Sequence, residues 1–160
     1  MKTLLILQGL PASGKSTYAV NWVNEDPEHR LRINQDSIRR MFGKYWLEDK
    51  LQLKKRESIT SNITMELLKQ SMFNQFDIVL DNINLNTKIL GTIEDYVNYF
   101  NIKFADLQTY NIEYKLFKEP LQTLIDRDSK RDISVGVNVI TNLYNKYYGI
   151  VNCNNNNTDD

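Results

Sequence analysis

Short apolar runs alternate along this chain with longer stretches whose apolar positions recur at helical spacing. Residues 3–8 form an apolar run of the length of a buried parallel strand. A glycine-rich segment follows over 9–14. Residues 15–25 predict a helix with Tyr18, Val20 and Trp22 as apolar cover, and Asp26-Pro27 ends it. Residues 30–34 predict a second short strand, with Leu31 and Ile33 alternating with polar neighbours. A helix opens over 36–42, and Gly43 breaks it. From residue 48 to about 75 the chain is first charged, then amphipathic. There Ile59, Ile63 and Leu67 recur at every fourth position and predict one buried helical face. Asp77-Ile78-Val79-Leu80-Asp81 predicts a third strand, and Asn86 is suited to cap a helix reaching about Phe100. Residues 101–110 are ambiguous. Ile112, Tyr114 and Leu116 alternate and predict a fourth strand through Phe117. Pro120 stands where a helix can begin, and that helix extends to about Lys130. A polar loop precedes a last helix over 137–148. Strands alternating with helices imply right-handed β-α-β units, so the expected fold is α/β. Its core is a four-stranded parallel sheet with helices on both faces.

The 160 residues suit one domain of ordinary size, placed over 1–149, with 150–160 as a polar, low-complexity tail. Hydrophobic residues make up 41% and charged residues 25%, a globular composition that argues against wholesale disorder. Twenty Lys and Arg balance twenty Asp and Glu, which excludes a strongly basic nucleic-acid coat and leaves room only for a local basic face. One Cys excludes a disulfide scaffold, and one His beside it excludes the usual structural zinc site. Such cysteine usage suits a reducing cytoplasm. No run approaches the ~18 apolar residues of a membrane span. The N-terminal apolar run is too short for a signal peptide, because Gln8 and Gly9 interrupt it.

Gly9-Leu10-Pro11-Ala12-Ser13-Gly14-Lys15-Ser16 matches G-x-x-x-x-G-K-[ST] at every fixed position, with Thr17 next. Glycines let the backbone fold closely around phosphate with its N–H groups turned inward. The helix starting at Lys15 offers its positive end to the same phosphates. Lys15 can reach the β- and γ-phosphates, and Ser16 can hold Mg²⁺. A chance match in a chain of this size arises about once in two hundred sequences. The preceding strand and following helix lower that further, so a nucleoside-triphosphate binder is expected.

A phosphate loop does not separate kinases from other nucleotide-binding proteins. No guanine-reading N-K-x-D segment is present, and the length fits a small phosphotransferase. Transfer to a hydroxyl benefits from a carboxylate that takes the acceptor's proton and from cations around the moving phosphoryl. Asp36 follows the second strand, at the functional end of a parallel sheet, and Arg39 is on the same helical side. Asp36 reads equally as a helix cap, and Arg39 or Arg40 as surface charges. Arg127, Lys130 and Arg131 cluster at a helix end before a polar loop, a place for a lid over phosphates or for a solvated terminus. Asp81 ends the third strand, either near Mg²⁺ or as a strand-end cap. Lys44, Lys50, Lys54, Lys55 and Arg56, with Tyr45 and Trp46, form a basic, aromatic stretch. It could face a nucleic acid or open an amphipathic helix with Trp46 in the core. His29 carries no chemical signal, and Tyr144, Tyr147 and Tyr148 read as core cover.

In order, Gly9 to Ala19, Ile33-Asn34-Gln35-Asp36-Ser37-Ile38-Arg39, Asp81-Asn82-Ile83-Asn84-Leu85-Asn86 and Arg127-Asp128-Ser129-Lys130-Arg131 resemble the kinase domain of bacteriophage polynucleotide 5′-kinases. The resemblance covers residue 1 to about 149. It implies a P-loop fold of the nucleoside-monophosphate-kinase type that uses ATP and Mg²⁺. It implies transfer of the γ-phosphate to the 5′-hydroxyl end of DNA or RNA, in the service of end repair. Position by position, Asp36 then resembles the general base and Arg39 the grip on the acceptor's phosphate. Lys15 and Ser16 match the nucleotide and Mg²⁺ positions. Arg131, and less closely Arg127, resemble the lid arginines. The residues from Gly9 through Pro11, Ala12, Ser13 and Gly14 to Thr17 would line the nucleotide. Such kinases often continue into a phosphatase domain with D-x-D-G-[ST], which nothing here matches. Ile83 stands where relatives often have Thr, and 101–110 has the look of an insertion. The cytoplasm of a host is the implied location if the source is viral, and a homo-oligomer is compatible. Two alternatives stand beside this reading: a P-loop kinase with a small hydroxyl acceptor (a nucleoside, sugar or aminoacyl-RNA), and an ATP-binding module without transfer.

Overall fold

A computed structural model describes residues 1–43 and 49–149 of the chain. Lys44, Tyr45, Trp46 and the tail expected over 150–160 lie outside the described residues. The chain divides into two compact units, one of residues 1–9 and 14–117, the other of residues 10–13 with the segment from Lys118 on.

The first unit is built on four parallel strands, β1 (Lys2–Gly9), β2 (Arg30–Ile33), β3 (Asp77–Asp81) and β4 (Tyr110–Phe117), in the order β2-β3-β1-β4. The helices between them are α1 (Lys15–Asn24), α2 (Gln35–Arg40), α3 (Lys50–Phe73) and α4 (Thr87–Lys103). The central strand β1 is apolar on both sides because both of its faces are covered. Leu4 and Ile6 join Ile33, Ile78, Leu80 and Tyr110 against Leu68 and Met72 of α3 and Leu90, Ile93, Val97 and Phe100 of α4. Leu5 and Leu7 join Val79 against Ala19 of α1, with Tyr18, Trp22, Val23 and Phe117 packed around them. Pairing of Leu7 with Asp81 and of Gly9 with Phe117 brings the carboxyl ends of β1, β3 and β4 to one edge.

Two expected faces are corrected. Val20 is exposed, and Ala19 takes the buried position on α1. On α3 the buried positions are Thr60, Thr64, Leu68, Ser71 and Met72, whereas Ile59 and Leu67 are exposed. Thr64 and Ser71 can be buried because their hydroxyls donate to the carbonyls of Thr60 and Leu67, one turn back in the helix. The hydrophobic pattern thus misreads the helix by one position. Residues 101–110, ambiguous in the sequence, join the fourth helix to the fourth strand. The fourth helix continues to Lys103, a short turn follows, and the strand begins at Tyr110. Asn101 clamps that turn, accepting the Tyr110 N–H at 2.8 Å and donating to its carbonyl at 2.9 Å.

The second unit contains α5 (Leu121–Asp128) and α6 (Val137–Tyr148), with Leu124 and Ile140 fully buried. Pro120 precedes the first of these helices as expected. Tyr144 and Tyr148 meet edge to face at 5.2 Å, and the Lys118 ammonium lies 5.3 Å from the Tyr148 ring centre. Among the described residues no helix is long and apolar enough to cross a membrane.

The shifted face of α3 gives a direct test. Leu68→Ala should destabilise the protein by about 2–5 kcal/mol, whereas Ile59→Ala should change stability by less than ~1 kcal/mol. Urea denaturation followed by circular dichroism measures both, and equal losses would contradict the observed face.

Candidate active site

Three local structures converge along the carboxyl edge of the sheet within the first unit. The first is the start of α1. Gly14 caps this helix in a left-handed conformation, φ 97°, without a side-chain hydrogen bond. Open space surrounds the position a Cβ would take there, but the positive φ itself strains any other residue. Lys15 is buried, while Ser16 and Thr17 are exposed on the first turn. Among residues 10–13, Ala12 adopts φ 63°, uncommon outside glycine, and the Ser13 N–H donates to the Leu10 carbonyl at 3.3 Å. A helix start capped by glycine alone, next to a buried lysine, suits a polyphosphate. These residues fit ATP.

The second structure is the loop after β3. Asn84, at φ 48°, donates from its amide to the carbonyls of Leu7 and Leu80 at 2.8 and 3.0 Å. Its carbonyl accepts from the Gln8 amide at 3.0 Å, and the Ile83 carbonyl accepts the Gly9 N–H at 3.0 Å. The strand that feeds the phosphate loop is therefore held by residues 83–84. Ile83 acts here through its backbone. Asp81, 1% exposed, receives Arg32 through Nε and Nη2 at 2.9 and 2.6 Å on one carboxylate oxygen. Asn34 donates to the carbonyl and carboxylate of the same residue at 2.6 and 3.2 Å. The strand-end carboxylate so ties β2 to β3.

The third structure is α2. Asn34 caps it, its Oδ1 accepting the Ser37 N–H at 3.0 Å. The cap role considered for Asp36 thus belongs to Asn34, and Asp36 lies in the first turn. The Gln35 N–H donates to Asn82 Oδ1 at 2.8 Å, which fixes the helix start to the loop after β3. Arg39 donates from Nη1 to Asp36 at 2.8 Å. Its Nε and Nη2 form a two-point bond with Glu57 of α3, each at 2.8 Å. That bond, with Asp36 behind it, outweighs burial and holds the guanidinium above its ordinary pKa. Arg40 is exposed.

The expected residues therefore fall into groups. Asp36 and Arg39 are in contact, and Lys15 and Ser16 open one helix. Arg127 and Arg131 belong to the second unit, where Arg127 pairs with Glu119 at 3.2 Å and Arg131 with Asp128 at 3.2 Å. Glu57, Arg32 and Asn84 were not singled out from the sequence. Glu57 is eighteen residues from Arg39, and only the packing of α2 on α3 joins them. Asn84 had a weak signal in an Asn-rich turn after a strand.

Among the described residues no group of three or more His, Cys, Asp or Glu is placed to hold a metal. Ser16, exposed on the first turn of α1, is the residue suited to hold a magnesium ion beside substrate phosphates.

An all-parallel sheet, a glycine-capped phosphate helix and an acid-arginine pair after the second strand define a kinase-type P-loop domain. The chain belongs to the AAA domain family, whose model matches residues 4–138. The chain is similar to an L-seryl-tRNA(Sec) kinase of Methanococcus maripaludis, at 27% identity over 153 residues, 90% of this chain and 52% of that protein. It is similar in structure to a chain of the Pnkp1/Rnl/Hen1 RNA repair complex, with a TM-score of 0.67 and 22% identity over 92% of this chain and 45% of that one. A second structure of the Pnkp1/Rnl/Hen1 complex matches with a TM-score of 0.54 and 25% identity, over 84% of this chain and 41% of that one. The chain spans about half the length of these relatives. The matches agree with the P-loop kinase fold that the sheet and the phosphate loop define.

Glu57→Ala should release the Arg39 side chain. Solvent exchange of its Nε–H, followed by nitrogen-15 NMR, should quicken by about tenfold, the factor equivalent to one charge-assisted hydrogen bond. An unchanged rate would mean that the two-point bond does not hold Arg39.

Proposed function

We propose that this chain is an ATP-dependent polynucleotide 5′-hydroxyl kinase. The observation that carries the reading is the Asp36–Arg39 pair at the start of α2, bonded at 2.8 Å. A carboxylate beside a guanidinium supplies, in one place, a proton acceptor for a hydroxyl and a grip for a neighbouring phosphate. A 5′-hydroxyl nucleic-acid end carries both groups within one nucleotide. The RNA repair complex among the structural neighbours supports this choice of substrate.

In this reading Asp36 accepts the proton of the 5′-hydroxyl as its oxygen attacks the γ-phosphorus of ATP. The bond from the γ-phosphorus to the bridging oxygen breaks, and ADP leaves. Lys15 balances charge on the phosphate chain, and Arg39 holds the acceptor's own phosphate. Arg131, with Arg127 near it in sequence, stabilises the transferring phosphoryl. Mg²⁺, when bound at Ser16, neutralises charge on the phosphates.

A second reading has an observation of its own. The seryl-tRNA kinase match extends over 90% of this chain, so a hydroxyl carried on an aminoacylated RNA is the alternative acceptor. Incubation with γ-labelled ATP separates the two, using 5′-hydroxyl DNA and RNA oligonucleotides, a 5′-phosphorylated control and seryl-tRNA. Label should appear only on the 5′-hydroxyl oligonucleotides. Label on seryl-tRNA alone would replace the polynucleotide reading, and ATP binding without transfer to any of them would refute both.

Asp36→Asn should lower the transfer rate by about 10²–10⁴-fold while ATP affinity, measured by calorimetry, stays within about threefold because Lys15 and the loop remain. Full activity in this variant would remove Asp36 as the base. Acceptor binding should also weaken steeply with added salt, as counterion release from a polynucleotide requires.

A further inference from the structure

The segment between α5 and α6 carries Arg131, and one carboxylate organises it. Asp128, in the last turn of α5, is 2% exposed. Its Oδ2 accepts from the Ser134 hydroxyl at 2.5 Å, the Gly136 N–H at 3.0 Å and the Val135 N–H at 3.1 Å. Its Oδ1 accepts from Arg131 Nη1 at 3.2 Å and, more distantly, from Val135 at 3.3 Å. Gly136, at φ 91°, begins α6 without a side-chain cap of its own. Asp128 therefore caps α6 from the opposite end of the loop.

A carboxylate has about four acceptor positions, and those of Asp128 are used within this loop. Burial pushes its carboxyl pKa up. The Ser134 hydroxyl, the Gly136 and Val135 N–H groups and Arg131 together outweigh burial and hold it below the ordinary value. The group stays ionised and has little capacity for a further ligand. Arg131 gives one Nη group to it, and its side chain is 39% exposed. Among the described residues the guanidinium is thus tethered at one point.

We propose that Asp128 is the positioning residue for Arg131, seating the guanidinium before ATP arrives. This rests on the role given to Arg131 in the proposed function. A free arginine side chain loses much rotamer entropy when it is fixed in one place. Tethering one arm removes part of that cost ahead of the reaction, and the rest of the fork keeps donors for the transferring phosphoryl. Asp128 makes no bond to substrate in this scheme.

The test compares wild type, Asp128→Asn, Arg131→Ala, the double variant and Ser134→Ala. Each is measured by label transfer to a 5′-hydroxyl oligonucleotide and by nitrogen-15 relaxation of the Arg131 Nε–H. Asp128→Asn should lower kcat by about tenfold to a hundredfold, with the KM for ATP moving less than about threefold because the phosphate loop dominates binding. It should add nothing to the loss in the Arg131→Ala background. The Arg131 order parameter should fall toward the flexible range, below about 0.6. Ser134→Ala removes one donor and keeps the carboxylate. It should lower kcat by about threefold, the equivalent of a modest hydrogen bond, and it serves if Asp128→Asn does not fold. Additive losses, an unchanged kcat in the loop variants, or a wild-type Arg131 order parameter in Asp128→Asn would each overturn the proposal. Wild-type transfer by Arg131→Ala would overturn it as well. A wild-type protein that labels no oligonucleotide refutes the substrate reading instead, and the Arg131 relaxation then judges the seat by itself.

Discussion

At the carboxyl edge of a parallel sheet the strands run out of partners while their backbone groups still need them. The first unit meets this constraint with the residues that follow β3. Asn84 takes up the carbonyls of both Leu7 and Leu80, and Ile83 receives the Gly9 N–H. Asp81 draws in Arg32 and Asn34, and Asn82 receives the start of α2. The phosphate-loop strand and the start of α2 are thus referenced to one short turn. Their chemistry depends on this turn staying fixed, although none of its residues need touch substrate.

Electrostatics then divides the labour on α2. Asn34 caps the helix, and Asp36 in its first turn pairs with Arg39. Arg39 is paired with Glu57 of α3 and with Asp36 of its own helix, each at 2.8 Å. The two-point bond to Glu57 fixes the plane of the guanidinium and joins α2 to α3. Asp128 orients Arg131 in the same manner in the second unit, again by a carboxylate held by several donors.

The domain matched by the family model extends over 4–138, and the similar proteins are about twice as long as this chain. One fold can serve many acceptors, because the chemistry of a kinase is set by its site and not by its sheet.

The order of strands and helices was legible in the sequence by itself. Apolar runs of strand length, the glycine-rich loop and helix caps such as Asn86 are local signals, set by residues adjacent in the chain. The phosphate-loop motif and the Asp36–Arg39 spacing were legible for the same reason, because both lie within single turns. The buried face of α3 was not legible. Thr60, Thr64 and Ser71 read as polar, yet two of their hydroxyls donate to the helix backbone and let the face turn inward. Nor were Glu57 on Arg39, Arg32 on Asp81 or Asn84 under the phosphate-loop strand. Each joins residues from separate elements, eighteen to seventy-seven positions apart. Sequence spacing carries the interactions that one helix or one turn can close. Which carboxylate meets which arginine across elements was decided only when the sheet brought those elements to a common edge.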